Sequence, residues 1–479
     1  MTTASWGDGA DAVLILRGDG PRPARVELVG ARARTAARLT GRGKTWSATI
    51  PLTASRWGGA VLPLPSGRYD VRVSPADGAT PPAAPEAPEA PHRNGMHAEL
   101  DGWTLTIAPL RGSDEERAAA ERAYVSGRAP LEDAVFFESF YGRNASCNPL
   151  AIDRELVRRR PGMTRYWSVV DLSVAIPEGA VAVVEGSPEW WRARAVSRLL
   201  VVNDWLRRRY VRRPGQHVLQ TWHGTPLKRL ALHRPGFDPR RMLAVVRESR
   251  RWDVLLAQNP YAAGVLRKAY AFFRRPIWVE GYPRNDVLRT GDAADVRGRL
   301  GIAADESVIL YAPTWRDDRE QMVDFLDAQR LADDTGAVVL VRGHSRTLIP
   351  GRDAEGARVI DVTGFPDTAQ LLLAADALVT DYSSVVFDFT VTGKPVYFLV
   401  PDLEHYRGHL RGFYFDLTAR APGPIVRTQE MLTSALLADT SAEYAQRYAD
   451  WQRVFNGRDD GEAAERVVAR ILDQGLLGD

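Results

Sequence analysis

From about Leu131 onward the chain repeats one unit: a short apolar run, then a stretch of helical periodicity. The runs are Val135-Phe136-Phe137, Val181-Ala182-Val183-Val184, Val218-Leu219-Gln220-Thr221, Val254-Leu255-Leu256-Ala257 and Ile277-Trp278-Val279. They continue with Val308-Ile309-Leu310-Tyr311, Val338-Val339-Leu340-Val341, Ala377-Leu378-Val379-Thr380 and Val396-Tyr397-Phe398-Leu399. A strand that is apolar on both faces must be covered on both, so the pattern predicts parallel sheets lying between layers of helices. At 479 residues the chain is too long for one ordinary core, which gives two or three domains and an α/β fold class. The tail from Ala442 to Leu477 reads as helical.

The first 110 residues follow another rule. Val13-Leu14-Ile15-Leu16, Arg25-Val26-Glu27-Leu28-Val29, Trp46-Ser47-Ala48-Thr49-Ile50 and Tyr69-Asp70-Val71-Arg72-Val73 are strand-type runs separated by Gly- and Pro-rich turns, as in a small β-sandwich. Trp103-Thr104-Leu105-Thr106-Ile107 supplies one more strand. A Pro/Ala/Glu stretch over 75–91 reads as an extended linker, and Arg117 to Tyr124 as helix. Gly41-Arg42-Gly43-Lys44-Thr45 has part of a phosphate-loop pattern, but the glycine required at position 38 is Arg38, so that reading is rejected.

Composition excludes several classes. No run of about 18 apolar residues is present, so no membrane-spanning helix is predicted. Residues 1–8 lack a basic-then-apolar secretory leader. One cysteine, Cys147, excludes an intrachain disulfide framework and a Cys-rich metal site, and a cytoplasmic setting fits best. The 59 Arg against 4 Lys reflect a GC-rich coding genome more than a function. The net charge of +3 conceals an asymmetry: residues 151–275 hold 25 Lys and Arg against 10 Asp and Glu, a balance of +15, and the remainder stands at −12. A basic lobe attracts phosphates, nucleic acid or an anionic membrane surface. No nucleic-acid-binding motif accompanies it, and no nucleic-acid partner is expected.

Polar residues gather where strands end, which is where open α/β sheets bind ligands. His223 follows one strand, with Thr225 and Pro226 suited to cap and open a helix. A neutral imidazole there is able to take a proton from an alcohol near pH 7. A lone histidine in such a place is more often packed or capping, so the case depends on its neighbours. His344 follows another strand beside Arg342 and Arg346, where it would bind a diphosphate or stabilise departing charge. Thr314 and Arg316 offer donors to phosphate, and Trp315 a ring to stack or to pack. Asp381 precedes Ser383 and Ser384 at the start of a helix over about 385–391 that Gly393 stops. Those hydroxyls are N-caps or diphosphate ligands, with Asp381 orienting a donor or a ribose hydroxyl. Gly281-Tyr282-Pro283 reads as the join between lobes, with Arg284, Asn285 and Asp286 beside it as substrate-binding candidates.

Taken together these segments resemble the CDP-glycerol:poly(glycerophosphate) glycerophosphotransferase family, the teichoic acid polymerases and primases. The resemblance is carried by Gln220 to Lys228, Gly281 to Asp286, Ala312 to Arg316, Asp381 to Asp388 and Arg411 to Asp416. Phe137-Glu138-Ser139-Phe140 with Gly142 and Asn148-Pro149 matches the family's first motif. The motifs stand in family order across roughly 132–455. One departure is Ser345 after His344, where the family commonly has proline.

The resemblance implies a GT-B-like pair of Rossmann-like lobes behind the sandwich-like domain. The divisions are 1–110 (β-rich, linker at 75–91), 131–283 (basic acceptor lobe), 284–455 (nucleotide lobe) and 456–479 (C-terminal helix). It implies transfer of glycerol phosphate, or a related polyol phosphate, from a CDP-activated donor to a hydroxyl of a lipid-linked or polymeric anionic acceptor, releasing CMP. By the same resemblance His223 is base or positioner, and His344, Thr314, Arg316, Ser383 and Ser384 hold the diphosphate with Asp381 in support. Peripheral attachment to the inner face of the cell membrane is implied too, for which Arg207-Arg208-Arg209 with Arg212-Arg213 is a suitable contact. The sequence requires no cofactor and defines no metal site, although a divalent cation is compatible with a diphosphate donor. Two other readings keep the same fold: a GT-B glycosyltransferase using a nucleotide sugar, and a non-catalytic cell-wall assembly partner.

Overall fold

A computed structural model describes residues 2–7, 13–41, 44–76, 82–86, 92–93, 95–314, 325–343, 358–403, 412–438 and 440–478. Beyond the first 110 residues it contains two parallel sheets. Edge to edge, the first runs Val181–Val184, Thr164–Val169, Glu132–Glu138, Ser197–Val202, His217–Gln220, Val254–Ala257, Ile277–Val279. The second runs Val359–Asp361, Val338–Val341, Val308–Ala312, Ala377–Thr380, Val396–Leu399, Ile425–Val426. Numbered along the chain within each lobe, both have the order 3-2-1-4-5-6, with a seventh strand added to the first. This is the Rossmann-like order, and its ligand crevice lies where strands 1 and 4 diverge.

Alternate residues of each strand enter opposite layers. Phe136, Leu200, Val202, Val218 and Leu255 face one core of the N-lobe, while Val135, Phe137, Leu199, Val201, Leu219 and Leu256 face the other. The C-lobe divides likewise, with Val308, Leu310, Leu340 and Leu378 against Ile309, Tyr311, Val339 and Val379. Burial on both faces is the physical content of the apolar runs. Helix starts follow side-chain chemistry: Ser187 caps Pro188–Val196 and Asn259 caps Pro260–Ala269, each with Pro in the first turn.

Four strands of the two parallel sheets lie outside the apolar runs: Thr164–Val169, Ser197–Val202, Val359–Asp361 and Ile425–Val426. The helix expected after His223 is absent, since 221–230 is irregular and the next α-helix is Pro239–Ser249. Thr225 Oγ1 donates to Gln258 Oε1 at 2.5 Å instead of capping. The segment pairs across the lobes, with Arg229 N donating to Gly412 O (3.1 Å) and Tyr414 N to Leu227 O (3.0 Å). The helical C-terminal stretch divides between the lobes. Ser441–Phe455 packs on the C-lobe through Trp451 and Phe455, but Ala463–Asp473 returns to the N-lobe core through Val467, Val468 and Ile471.

Among the described residues the N-terminal domain holds three antiparallel sheets, of four, six and two strands, the two larger ones packed face to face. They enclose Leu14, Leu16, Trp46 and Ile50 from one and Val26, Leu28, Leu100 and Leu105 from the other. Thr104–Pro109 pairs with Gly67–Ser74 and Met96–Asp101 with Thr104–Pro109, so strands on both sides of 75–91 belong to one sheet.

Chain crossings between the lobes are bound by buried polar groups. Asp459 accepts from Tyr282 N (3.1 Å) and Asn285 Nδ2 (3.3 Å) on one oxygen, and from Gln258 Nε2 (2.8 Å) and Asn456 Nδ2 (3.2 Å) on the other. Burial pushes its carboxyl up to about 6 against these donors. An amide at this position would turn its own donors toward two N–H groups. Asp459→Asn is therefore expected to cost about 2 kcal/mol, roughly 4–8 °C in the apparent Tm measured by calorimetry. Because the folded-state pKa is raised, the stability this carboxyl contributes is present below its unfolded value and is lost as pH rises through about 6. The gap in Tm between wild type and Asp459→Asn should narrow from pH 5 to pH 7.

Candidate active site

The strand ends of the two lobes meet. A Cβ built on Gly224 would lie 2.9 Å from Ser384 Oγ, so the backbone after His223 runs directly against the loop of the opposite lobe. His223 is half-buried. Its ring stacks on Trp222, with centroids 4.9 Å apart, and lies 5.6 Å from Phe140. His223 Nδ1 is 2.6 Å from the backbone oxygen of Asn203, the residue after N-lobe strand 4. A carbonyl only accepts, so Nδ1 carries the proton and Nε2 is left as the acceptor nitrogen of the neutral ring. That is the protonation pattern a base requires.

The surrounding backbone is held in unusual conformations. Phe140 (φ 46°), Tyr141 (φ 59°), Cys147 (φ 64°) and Trp222 (φ 54°) are all left-handed, a state costly for residues with a Cβ and concentrated at functional sites. Two asparagines stabilise it. Asn203 Oδ1 accepts from Phe140 N at 2.8 Å. Asn148 Nδ2 donates to the carbonyls of Thr221 (3.2 Å) and Trp222 (3.1 Å), and its Oδ1 accepts from Arg284 N at 3.2 Å.

Arg284 joins this cluster to the C-lobe. Its guanidinium donates to His223 O (2.9 Å), Cys147 Sγ (3.1 Å) and Asp388 Oδ2 (2.7 Å). Burial works against the cation, but Asp388, Cys147 and Tyr282 together more than offset it and the pKa rises above the usual arginine value. The Asn285 amide nitrogen and the Asp286 carboxylate are engaged within the protein, while Asn285 Oδ1 is buried without a hydrogen-bond partner among the described residues. Asn285 Nδ2 donates to Asp388 Oδ1 (3.0 Å) and to Asp459. Asp286 accepts from Ala463 N (3.0 Å) and Ala464 N (2.7 Å), fastening the start of the returning helix, and burial pushes its carboxyl up to about 6.

On the C-lobe side Thr314 follows strand 1 and Asp381 follows strand 4, so both stand at the switch point. Asp381 accepts from Thr314 N (2.9 and 3.0 Å) and Tyr382 N (2.5 Å), binding the two strand ends together. Ser384 occupies the N-cap position of Val385–Phe389 without a side-chain capping bond, while Ser383 Oγ accepts from Val385 N at 3.4 Å. The α-helix is shorter than expected and passes into a 3-10 turn, Thr390–Thr392, before Gly393 (φ 78°) ends it. Trp315, Arg316 and His344 lie outside the described residues. Among the described residues no cluster of His, Cys, Asp and Glu is arranged to hold a metal.

The cationic cluster near Arg207 is mostly engaged within the lobe. Arg208 Nε donates to Glu185 (3.0 Å), Arg212 Nη1 to Asp253 (2.6 Å), and Arg213 to the carbonyls of Ala195, Gly127 and Ala129. Arg207 lies over the Tyr141 ring at 3.8 Å. Arg208, Arg209 and Arg212 nonetheless remain exposed. Asn203 went unnoticed in the sequence, because a backbone carbonyl has no side-chain signature. Asn148 and Asp388 fell within recognised motifs but without an assigned role.

Arg284→Lys should lower transfer activity more than stability, because an ammonium offers no planar fork for Asp388 and the His223 carbonyl together. The expected result is a tenfold or greater fall in turnover, about 1.4 kcal/mol or more, with a small Tm shift by calorimetry.

The family profile described as CDP-Glycerol:Poly(glycerophosphate) glycerophosphotransferase matches residues 124–473. The teichoic acid glycerol-phosphate transferase of Staphylococcus aureus (strain NCTC 8325 / PS 47) is 34% identical over 72% of this chain and 94% of its own length. The teichoic acid poly(glycerol phosphate) polymerase of Bacillus subtilis (strain 168) is 35% identical over 73% of this chain, which spans half of that longer relative. A solved structure of the wall teichoic acid polymerase TagF has 31% identity and a TM-score of 0.68, covering 75% of this chain and 93% of that one. A teichoic acid ribitol-phosphate primase of Bacillus spizizenii (strain ATCC 23059 / NRRL B-14472 / W23) is more distant, 26% identical over 57% of this chain.

Proposed function

The chain belongs to the CDP-glycerol:poly(glycerophosphate) glycerophosphotransferase family, and from that premise we propose that its cleft transfers glycerol phosphate from CDP-glycerol to a hydroxyl of an anionic polymer or lipid-linked acceptor, releasing CMP. The observation that carries the reading is the tautomer of His223, whose bound Nδ1–H leaves Nε2 as acceptor at the lobe boundary. Nε2 takes the proton of the acceptor hydroxyl as its oxygen attacks the phosphorus that bears glycerol. The bond from that phosphorus to the bridging oxygen breaks, CMP leaves with that oxygen, and a phosphodiester remains.

The C-lobe supplies the donor side. Thr314, Ser383 and Ser384 donate hydroxyls to the diphosphate, and Asp381 supports them by holding the Thr314 and Tyr382 backbone. Arg316 and His344 would add cationic and hydrogen-bonding stabilisation to the departing phosphate, and Trp315 would serve as a further substrate contact. Arg284 acts through His223 as a positioning residue, and Asn285 and Asp286 act as fastenings between chain segments. Higher identity to glycerol-phosphate enzymes than to the ribitol-phosphate primase favours glycerol as the polyol.

The acceptor reading extends to a membrane surface. Among the described residues no helix is long and apolar enough to cross a membrane. The helix Pro239–Ser249 exposes Arg240, Leu243, Ala244 and Arg247 at helical spacing, with Leu243 60% and the preceding Phe237 84% exposed. Apolar side chains between arginines suit an anionic lipid surface, which supports a peripheral position on the inner face of the membrane.

His223→Ala should reduce CMP release from CDP-glycerol by about 10²–10⁴-fold without changing the fold, the range for losing a general base. Turnover with UDP-sugars alone, and none with CDP-glycerol or CDP-ribitol, would overturn the reaction. The double variant Phe237→Ser, Leu243→Ser should weaken sedimentation with phosphatidylglycerol vesicles about tenfold or more while leaving turnover on a soluble acceptor intact. Unchanged sedimentation would exclude this face.

A further inference from the structure

The β-sandwich lies outside the matched family segment, yet it touches both lobes through one tight loop. The loop Ser55–Gly59 is closed by Gly59 N donating to Arg56 O (3.0 Å) and Ser55 Oγ donating to Gly59 O (2.6 Å). Left-handed backbone at Trp57 (φ 56°) and Gly58 (φ 67°) drives its tip outward. Three consecutive residues then have three destinations. Arg56 Nη2 donates to Ser173 O of the N-lobe at 2.6 Å. Trp57 meets Phe365 of the C-lobe edge-to-face, centroids 5.5 Å apart, and would lie 3.7 Å from a Cβ on Gly364. Gly58 passes over Arg299, whose side chain would lie 3.3 Å from an added Cβ.

The two attachments differ in kind. On the N-lobe side Asp171 is buried and accepts from Arg32 (2.9 Å) and from Ser66 N (2.9 Å) and Oγ (2.5 Å). Burial opposes its charge, but these partners outweigh it and hold the carboxyl below its usual range. Directional, charge-assisted bonds of this sort fix a position. On the C-lobe side the contact is ring against ring and stem, which tolerates sliding. The sandwich is therefore anchored to the N-lobe and bears on the C-lobe.

The place it bears on adjoins the second strand-end site. Phe365 O and Val362 O accept from Arg342 Nη1 at 3.0 and 3.2 Å, and Gly343 N donates to Thr363 Oγ1 at 2.8 Å. Arg342 and Gly343 directly precede His344 in the chain. Asp367, two residues after Phe365, caps Thr368–Ala374.

We propose that Trp57, anchored through Arg56, is a positioning residue for donor binding: it bears on the 362–367 loop that holds the Arg342-Gly343 strand end and fixes that loop's distance from the N-lobe. The inference deepens the transfer reading and rests on it for the kinetic arm alone. Trp57→Ala should raise KM for CDP-glycerol about three- to tenfold with kcat within about twofold, the population change expected from losing one aromatic pair. Trp57→Phe, which keeps a ring, should restore KM to within about twofold. Arg56→Ala, which leaves the ring and removes its anchor, should move KM in the same direction.

Hydrogen exchange needs no turnover and decides the contact whichever donor is used. In Trp57→Ala, amides of 358–374 should exchange several-fold faster while those of Ser197–Val202 and His217–Gln220 do not change. Unaltered exchange over 358–374 would overturn the proposal, as would faster exchange with an unchanged donor KM. A wild type that releases no CMP from CDP-glycerol would instead count against the reaction, with exchange still deciding the role of Trp57.

Discussion

One buried cation determines how the two halves of the site meet. Arg284 leaves the segment that joins the lobes and donates to Asp388 in one lobe and to the His223 carbonyl in the other. Its own N–H is held by Asn148, which also holds the carbonyls before His223. A buried ion pair adds little net stability over a well-packed apolar pair, but losing one partner strands the other at about 3–5 kcal/mol. Its value is therefore geometric: only the arrangement in which both lobes present their acceptors satisfies the guanidinium. The neighbouring set around Asp459 works alike, since four N–H groups from three segments converge on one carboxylate.

The parallel sheets were legible because burial on both faces leaves a mark that no other soluble arrangement leaves so plainly. The strands that went unread show where the mark fails. Thr164–Val169 carries Arg165 and Ser168, which are buried only because Asp153 (2.9 Å) and Glu138 (2.7 Å) meet them. Ser197–Val202, the central N-lobe strand, begins at the residue that ends the helix Pro188–Val196, with no turn residue to separate them. Val359–Asp361 and Ile425–Val426 are too short to show any period.

The site was legible as a position and less so as a structure. Strand ends could be read, and so could the polar residues on them. The helix after His223 was misread because Thr225-Pro226 is a sound local signal overruled by distant partners: Gln258 takes the hydroxyl, and 412–414 takes the backbone. Asn285 and Asp286 resemble an exposed turn, and nothing near them in sequence announces Asp388, Asp459 or the helix at Ala463. Tertiary partners more than 100 residues away decide these roles.

Charge shows the same gap between composition and structure. The N-lobe's excess of arginine suggests a strong surface field, but many of these side chains have internal tasks. Arg165 pairs with Asp153 (2.9 Å), Arg251 with Glu248 (2.8 Å), Arg212 with Asp253 (2.6 Å), and Arg213 is spent on backbone carbonyls. A guanidinium suits this use because its planar fork bonds several acceptors at once and stays charged when buried. Other arginines stay exposed, among them Arg240 and Arg247, which accompany the exposed apolar side chains Phe237 and Leu243. The lobe's net charge therefore identifies the attraction only loosely. On the reading proposed above, exposed arginines beside exposed hydrocarbon are where an anionic surface would be met.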